Sequence, residues 1–171
     1  NERESITVDL SSVSGDAEVQ LLKASESMYS TVGVDSITVN AKGDICPAPQ
    51  RDIRIEFIGD SITAGYGLDE ENANAAFSTR TENFSETYAY LAAKELAADC
   101  YAVAFSGYGV YTGFSSNGSA NDYVIFNHYG STLSNAADAP DWDFSSFAPN
   151  IVVVNLGTND ASYCSTQSSI D

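Results

Sequence analysis

The chain has 171 residues, 43% of them hydrophobic, and 24 acidic side chains against seven basic ones give a formal net charge of -17. That length holds one domain, or one domain with part of another, and the apolar content suffices for a sizeable core. The charge excludes nucleic acid and anionic membranes as partners and suits neutral substrates: residues 51–171 offer only Arg51, Arg54, Arg80 and Lys94 as cations.

Residues 5–40 read as β. Ile6, Val8 and Leu10 alternate with polar positions, Val19 and Leu21 do so around Gln20, and Ile37 and Val39 follow a turn at Gly33. Three or four short strands do not close a sandwich alone. Residues 1–45 are therefore expected to be the C-terminal part of an N-terminal β-sandwich whose earlier strands have been removed. Lys42 to Gln50 carries Gly43, Pro47 and Pro49, and the linker is placed at 46–52.

The pattern then changes. Strand-like runs occur at Ile53–Ile58, Tyr101–Phe105 and Ile151–Leu156. The first and third are almost continuously apolar, as expected for parallel strands covered on both faces. Between the first two, Tyr88, Leu91, Ala92, Glu95 and Leu96 follow helical spacing, with Ser85 as the N-cap. Strand, helix, strand at that distance is a βαβ crossover. Residues 53–171 thus predict a three-layer, doubly wound parallel α/β sheet, incomplete because three strands leave an apolar edge uncovered.

Each of these strands ends in a small polar residue or glycine. Gly59-Asp60-Ser61-Ile62-Thr63 follows the first, Ser106-Gly107 the second and Gly157-Thr158-Asn159-Asp160 the third. Ester cleavage needs a nucleophile, a base for its proton and donors for the oxyanion. Ser61 offers a hydroxyl and an N–H, Gly107 an N–H unobstructed by a side chain, and Asn159 an amide NH₂. Ends of neighbouring parallel strands converge on one crevice. Singly, each of these residues is an ordinary cap or turn former; at three successive strand ends they point to a hydrolase.

Competing motifs fail. Thr63 stands where the nucleophile elbow requires its last glycine. Ala64 and Gly65 replace the glycine and lysine of a phosphate loop, and Thr112 replaces the third glycine of a dinucleotide fingerprint after Gly107-Tyr108-Gly109. Asp138, Asp141 and Asp143 lack the spacing of a calcium loop and read as a solvated loop, while Trp142, Phe144 and Phe147 read as packing. Cys46, Cys100 and Cys164 lack metal spacing, and their odd number leaves at least one thiol unpaired unless a partner lies elsewhere. No apolar stretch approaches the ~20 residues of a membrane span. The chain starts without an initiator Met or a signal-like segment, which implies a mature, processed or excised N-terminus.

The three blocks resemble those of the SGNH (GDSL-like) hydrolases. Within that superfamily the chain is most similar to the second family of carbohydrate esterases, acetyl xylan esterase-like enzymes that join an N-terminal β-sandwich to an SGNH domain. The similarity runs through Lys23-Ala24-Ser25-Glu26-Ser27-Met28, the stretch from Ile55 to Gly67, Ser106-Gly107-Tyr108-Gly109 and Trp142-Asp143-Phe144. It implies a secreted serine esterase that removes O-acetyl groups from plant polysaccharide or sugar esters, with no metal or organic cofactor. By the same resemblance Ser61 is the nucleophile, and Ser61 N–H, Gly107 N–H and the Asn159 side chain form the oxyanion hole. Gly109 is the alternative to Gly107, and Asp60, Tyr108, Gly109 and Asp160 are assigned to substrate binding.

One element of the family pattern is missing. Its catalytic histidine sits in a late Asp-x-x-His block, whereas the single histidine here, His128, has Ile125 three residues before it. His128 is expected to have a structural or surface role, and the base to come from a remaining C-terminal segment or a second chain. Two rivals stand beside the acetylesterase: an SGNH lipase or lysophospholipase-like esterase, and a non-catalytic carbohydrate-binding protein that kept the fold.

Overall fold

The computed structural model describes residues 3–39, 44–133, 136 and 138–164. Its centre is a parallel sheet of β1 (Arg54–Gly59), β2 (Asp99–Ala104) and β3 (Ile151–Asn155) in the order β2-β1-β3. Gly59 lies opposite Ala104 on one side and Asn155 on the other, so all three strands end level at one rim. From β1 the chain moves outward to β2 and then returns to the opposite side for β3. Such a reversal of strand order opens a crevice at the carboxyl ends of the strands.

Side chains of β1 alternate between two cores. Ile55 and Phe57 meet Ala89 and Ala93 of a helix on one face. Ile58 turns to the other face, with Val103, Phe105 and Ile125. Burying each large side chain contributes about 1.5–3 kcal/mol, and β1 holds both layers together. Glu56, which shares the second face, is buried and accepts a hydrogen bond from the Tyr129 hydroxyl at 2.8 Å. Beside it, Trp142 stacks on Tyr101 with ring centres 4.9 Å apart, so this tryptophan packs against the sheet.

The helices are short. α1 (Ser61–Ala64) follows β1 directly, α2 (Tyr88–Glu95) crosses from β1 to β2, and α3 (Thr158–Cys164) follows β3. Two details of α2 differ from expectation. Its N-cap is Thr87, whose side chain accepts from Tyr90 N–H; Ser85 sits earlier, in a 3-10 turn at Phe84–Glu86 capped by Asn83. Its buried face is Ala89 and Ala93, while Leu91 and Leu96 are exposed. Small residues let the helix approach the sheet, and a hydrophobicity pattern weighted by large side chains points to the wrong stripe.

Among residues 3–39 no strand forms. The alternating Ile6, Leu21 and Ile37 are 75%, 63% and 69% exposed. Alternation predicts a strand only where a neighbour completes the ladder, and these residues find none among those described. Residues 40–43, near the end of the expected N-terminal domain and ahead of the 46–52 linker, lie outside the described residues. The stretch 23–29 behaves differently: Phe84 N–H donates to Ala24 O at 2.9 Å, and Met28 packs on the Ile58 core. Through these contacts residues 24 and 28 pack against the segment that carries the sheet.

Candidate active site

Ser61 begins α1 immediately beyond Asp60, whose carboxylate accepts from Ile62 N–H at 3.0 Å and caps the helix. The turn tolerates no other residue at 59. A Cβ there would stand 2.0 Å from Thr63 Oγ1, and Thr63 is fully buried with its hydroxyl bonded to Tyr88 OH at 2.8 Å. Gly107 lies past the end of β2 at φ +85°, in the left-handed region that favours glycine. Asn159, in the first turn of α3, is buried and donates its Nδ2 to Tyr108 O at 2.7 Å, with Asp60 Oδ2 at 3.5 Å.

Ser61, Gly107 and Asn159 line one open cleft of about 420 Å³, together with Tyr29, Tyr66, Ser106 and Phe114. Neither Ser61 N–H, Gly107 N–H nor the Ser61 hydroxyl makes a hydrogen bond among the described residues. Two backbone donors and one hydroxyl are therefore open to a ligand. Aromatic side chains form the walls: Tyr66 stacks on Phe77 at 3.9 Å between ring centres, and Phe77 meets Tyr29 at 5.1 Å.

The four residues assigned to substrate binding are placed behind this surface. Asp60 is 1% exposed, and burial raises its carboxyl above the usual carboxylate range. It is a helix cap shut off from a ligand. The Asp160 carboxylate accepts from the N–H groups of Val110, Tyr111 and Thr112 at 2.7 to 3.1 Å. Burial pushes this carboxyl up, but those N–H groups together outweigh it and hold it below its ordinary value. Gly109 gives Asp160 room, since a Cβ would meet Thr112 O at 2.0 Å and Asp160 Oδ2 at 2.6 Å. Tyr108 packs on Phe105 and presents its carbonyl to Asn159. Asp60, Tyr108, Gly109 and Asp160 thus shape the wall, and none of them lines the cleft.

His128 also stands apart. Its ring packs edge-on against Phe105 and Tyr108, with centres 5.9 and 5.3 Å away, and it is not among the cleft residues. Sequence reasoning missed Glu26 and Glu82, both buried, Glu26 against Ser106 and Glu82 against Glu26. Acidic residues far apart in the chain give no signal of such a pairing.

The family model described as GDSL-like Lipase/Acylhydrolase matches residues 55–170. The chain belongs to that family. It is 38% identical over 121 residues to the cellulase/esterase CelE of Acetivibrio thermocellus, covering 70% of this chain and 14% of that protein. It is 33% identical over 152 residues to an acetylxylan esterase / glucomannan deacetylase of Cellvibrio japonicus, covering 87% of this chain and 41% of that one. Among solved structures, a family 2 carbohydrate esterase with a carbohydrate binding domain from Corynascus thermopiles (Myceliophthora fergusii) superposes with a TM-score of 0.64 at 37% identity. That match covers 74% of this chain and 38% of the other. A family two carbohydrate esterase from Clostridium thermocellum, solved with cellohexaose, gives a TM-score of 0.61 at 36% identity over 68% of this chain and 34% of its own. The chain thus spans less than half the length of the relatives it matches. Its likeness is to family 2 carbohydrate esterases on an incomplete SGNH-type α/β fold.

Proposed function

We propose that these residues carry the nucleophile side of an esterase that removes O-acetyl groups from plant polysaccharide or sugar esters through an acyl-serine. The observation that carries the reading is the shared cleft, in which Ser61, Gly107 and Asn159 face one space and two backbone N–H groups are unengaged. Exposed Tyr66 and Phe114, with Tyr29, offer flat apolar surfaces to a sugar ring, and the acidic balance suits a neutral ligand. The carbohydrate esterases among the relatives support the same substrate class.

In this reading Ser61 Oγ attacks the acetyl carbonyl carbon. A histidine outside these residues takes the hydroxyl proton and passes it to the departing sugar oxygen. Water then attacks the acyl-serine while the histidine takes its proton, the histidine passes that proton to Ser61 Oγ, and acetate leaves. The tetrahedral oxyanion is held by Ser61 N–H, Gly107 N–H and Asn159 Nδ2. His128 is not assigned as the base because its ring is committed to Phe105 and Tyr108. An extracellular location follows from the substrate class.

Acetate release from acetylated xylan by the complete, histidine-bearing protein tests this. Ser61→Ala is expected to lower kcat by on the order of 10⁴ or more. Asn159→Ala is expected to lower it by about 10²–10³. Full activity in Ser61→Ala removes the nucleophile assignment. A preference for acyl lipids over xylan favours the lipase reading. Failure of the complete protein to release any acetate favours non-catalytic carbohydrate binding, the reading that the packing of His128 on Phe105 and Tyr108 supports.

A further inference from the structure

Beneath the cleft lies a pair of buried carboxyl groups that the esterase chemistry above does not use. Glu26 is 6% exposed and Glu82 is 3% exposed. Glu82 Oε2 accepts from Glu26 N–H at 3.0 Å, and its side chain is also within hydrogen-bonding reach of the Glu26 carboxyl. Glu82 Oε1 is the one buried side-chain oxygen among the described residues left without an ordinary donor. Glu26 in turn accepts from Ser106 N–H at 2.6 Å and from the Ser106 hydroxyl. Ser106 is the residue before Gly107.

Two carboxylates this close and this buried do not both ionise. A proton on Glu26, directed at Glu82, supplies the donor that Glu82 Oε1 lacks and leaves Glu26 free to accept from Ser106. Other charged or titratable groups face the pair. Lys23, half-buried, reaches Glu26 O with its ammonium at 2.9 Å and lies in the field of both acids. Tyr29, from the cleft, and Tyr108, from behind its wall, both interact with the charge of Glu26, and both phenols are pushed up chiefly by burial, Tyr29 to about 12. None of these supplies Glu82 Oε1 with a hydrogen bond.

The Gly107 corner depends on this anchor. Phe114 N–H fixes Gly107 O at 2.8 Å, and Tyr108 N–H closes the turn on Phe105 O at 3.2 Å. Both contacts act after or across the glycine. Among the described residues only the Glu26 carboxyl bonds the Ser106 N–H and hydroxyl, and the orientation of the next peptide, which carries Gly107 N–H, follows from it. We propose that Glu26, sharing a proton with Glu82, is a positioning residue that aims Gly107 N–H into the cleft and makes this donor sensitive to pH. The inference rests on the esterase reading and adds a residue to it from outside the three strand ends.

The direction of the effect follows from the pair's environment. Burial first, and then the Glu82 side chain, push the Glu26 carboxyl up from 4.5 to about 8. Above that pH the shared proton is lost, the two carboxyl groups repel, and stretch 23–29 is expected to loosen together with Ser106.

The test is the pH profile of kcat and KM for acetate release by the complete protein, beside Tm over the same range. The wild type is expected to lose kcat on an alkaline limb near pH 8, with KM changing less. Glu26→Gln accepts from Ser106 and donates to Glu82 at every pH, so it keeps kcat within a few-fold at pH 6 and lacks that limb. Glu26→Ala loses about 10- to 100-fold in kcat at pH 6, less than deletion of an oxyanion donor because Gly107 N–H is displaced rather than removed. Glu82→Gln, which relieves the repulsion without touching Ser106, also lacks the limb. An alkaline limb that survives in both glutamine variants overturns the proposal, as does a Glu26→Ala enzyme that folds and keeps its kcat. A wild type that releases no acetate at any pH overturns the esterase reading instead. In that event the fall of Tm from about pH 4.5 to 8 in the wild type, absent from Glu26→Gln, supports the shared proton, and a slope common to both overturns it.

Discussion

Asn159 and Asp160 are neighbours in sequence and serve opposite sides of one loop. Asn159 faces the cleft, while Asp160 gathers the N–H groups of Val110, Tyr111 and Thr112 and so shapes the loop that follows Gly107. Replacing Asp160 by alanine leaves those three donors to water, and Thr112 is buried. A loss of about 1–3 kcal/mol in unfolding free energy is expected, toward the low end because Val110 and Tyr111 are exposed. The pH dependence has a definite sign. The folded carboxyl lies below its ordinary value of 3.8, so its contribution is present above that pH and is lost as pH falls through the folded value. Denaturant unfolding at pH 6 and pH 3 should therefore show a smaller wild-type advantage over Asp160→Asn at pH 3. Parallel curves at the two pH values would refute the role. The residue pattern revealed that this position matters, but a sequence cannot distinguish a carboxylate that meets substrate from one that meets backbone fifty residues away.

α2 shows what a sequence pattern carries at the scale of an element. The helix, its place between β1 and β2 and the parallel pairing of those strands were legible, because crossover length and apolar runs constrain them strongly. The buried face was not. Ala89 and Ala93 contribute little hydrophobicity, yet they are the buried residues that pack with Ile55 and Phe57. Leu91 and Leu96 dominated the pattern and are exposed. Close contact through small side chains makes a simple prediction. Ala89→Leu adds volume where none is free and should destabilise by about 1–3 kcal/mol. Leu91→Ala on the exposed face should stay within about 0.5 kcal/mol. Chemical denaturation of both variants checks this, and equal losses would mean that the helix presents a different face to the sheet.

For the whole molecule, the strand ends were legible because parallel strands in register bring residues a hundred positions apart to one rim. The Glu26–Glu82 pair was not, since its partners come from an irregular stretch and a loop with no shared periodicity. The N-terminal alternation was legible as pattern and yields no ladder among residues 3–39. It leaves a large apolar surface, with Ile6, Leu21 and Ile37 exposed, and on the sheet edge Val152 and Val154 are 53% and 59% exposed.

That apolar surface coexists with a formal charge of -17, and the two act over different ranges. Charge repulsion between copies extends over the Debye length, about 30 Å at 0.01 M salt and about 3 Å at 1 M. Apolar attraction acts at contact and is not screened. These 171 residues, expressed alone, are therefore expected to stay monodisperse at 10 mM salt and to associate near 1 M, with a hydrophobic dye bound at both. Val152→Lys and Val154→Lys together should shift the onset of association to higher salt by removing apolar edge, although they also lower the net negative charge. If repulsion alone governed solubility, those two lysines would shift the onset to lower salt. Light scattering across a salt titration distinguishes the two outcomes, and an onset moved downward by the lysines would show that the β3 edge is not the contact surface.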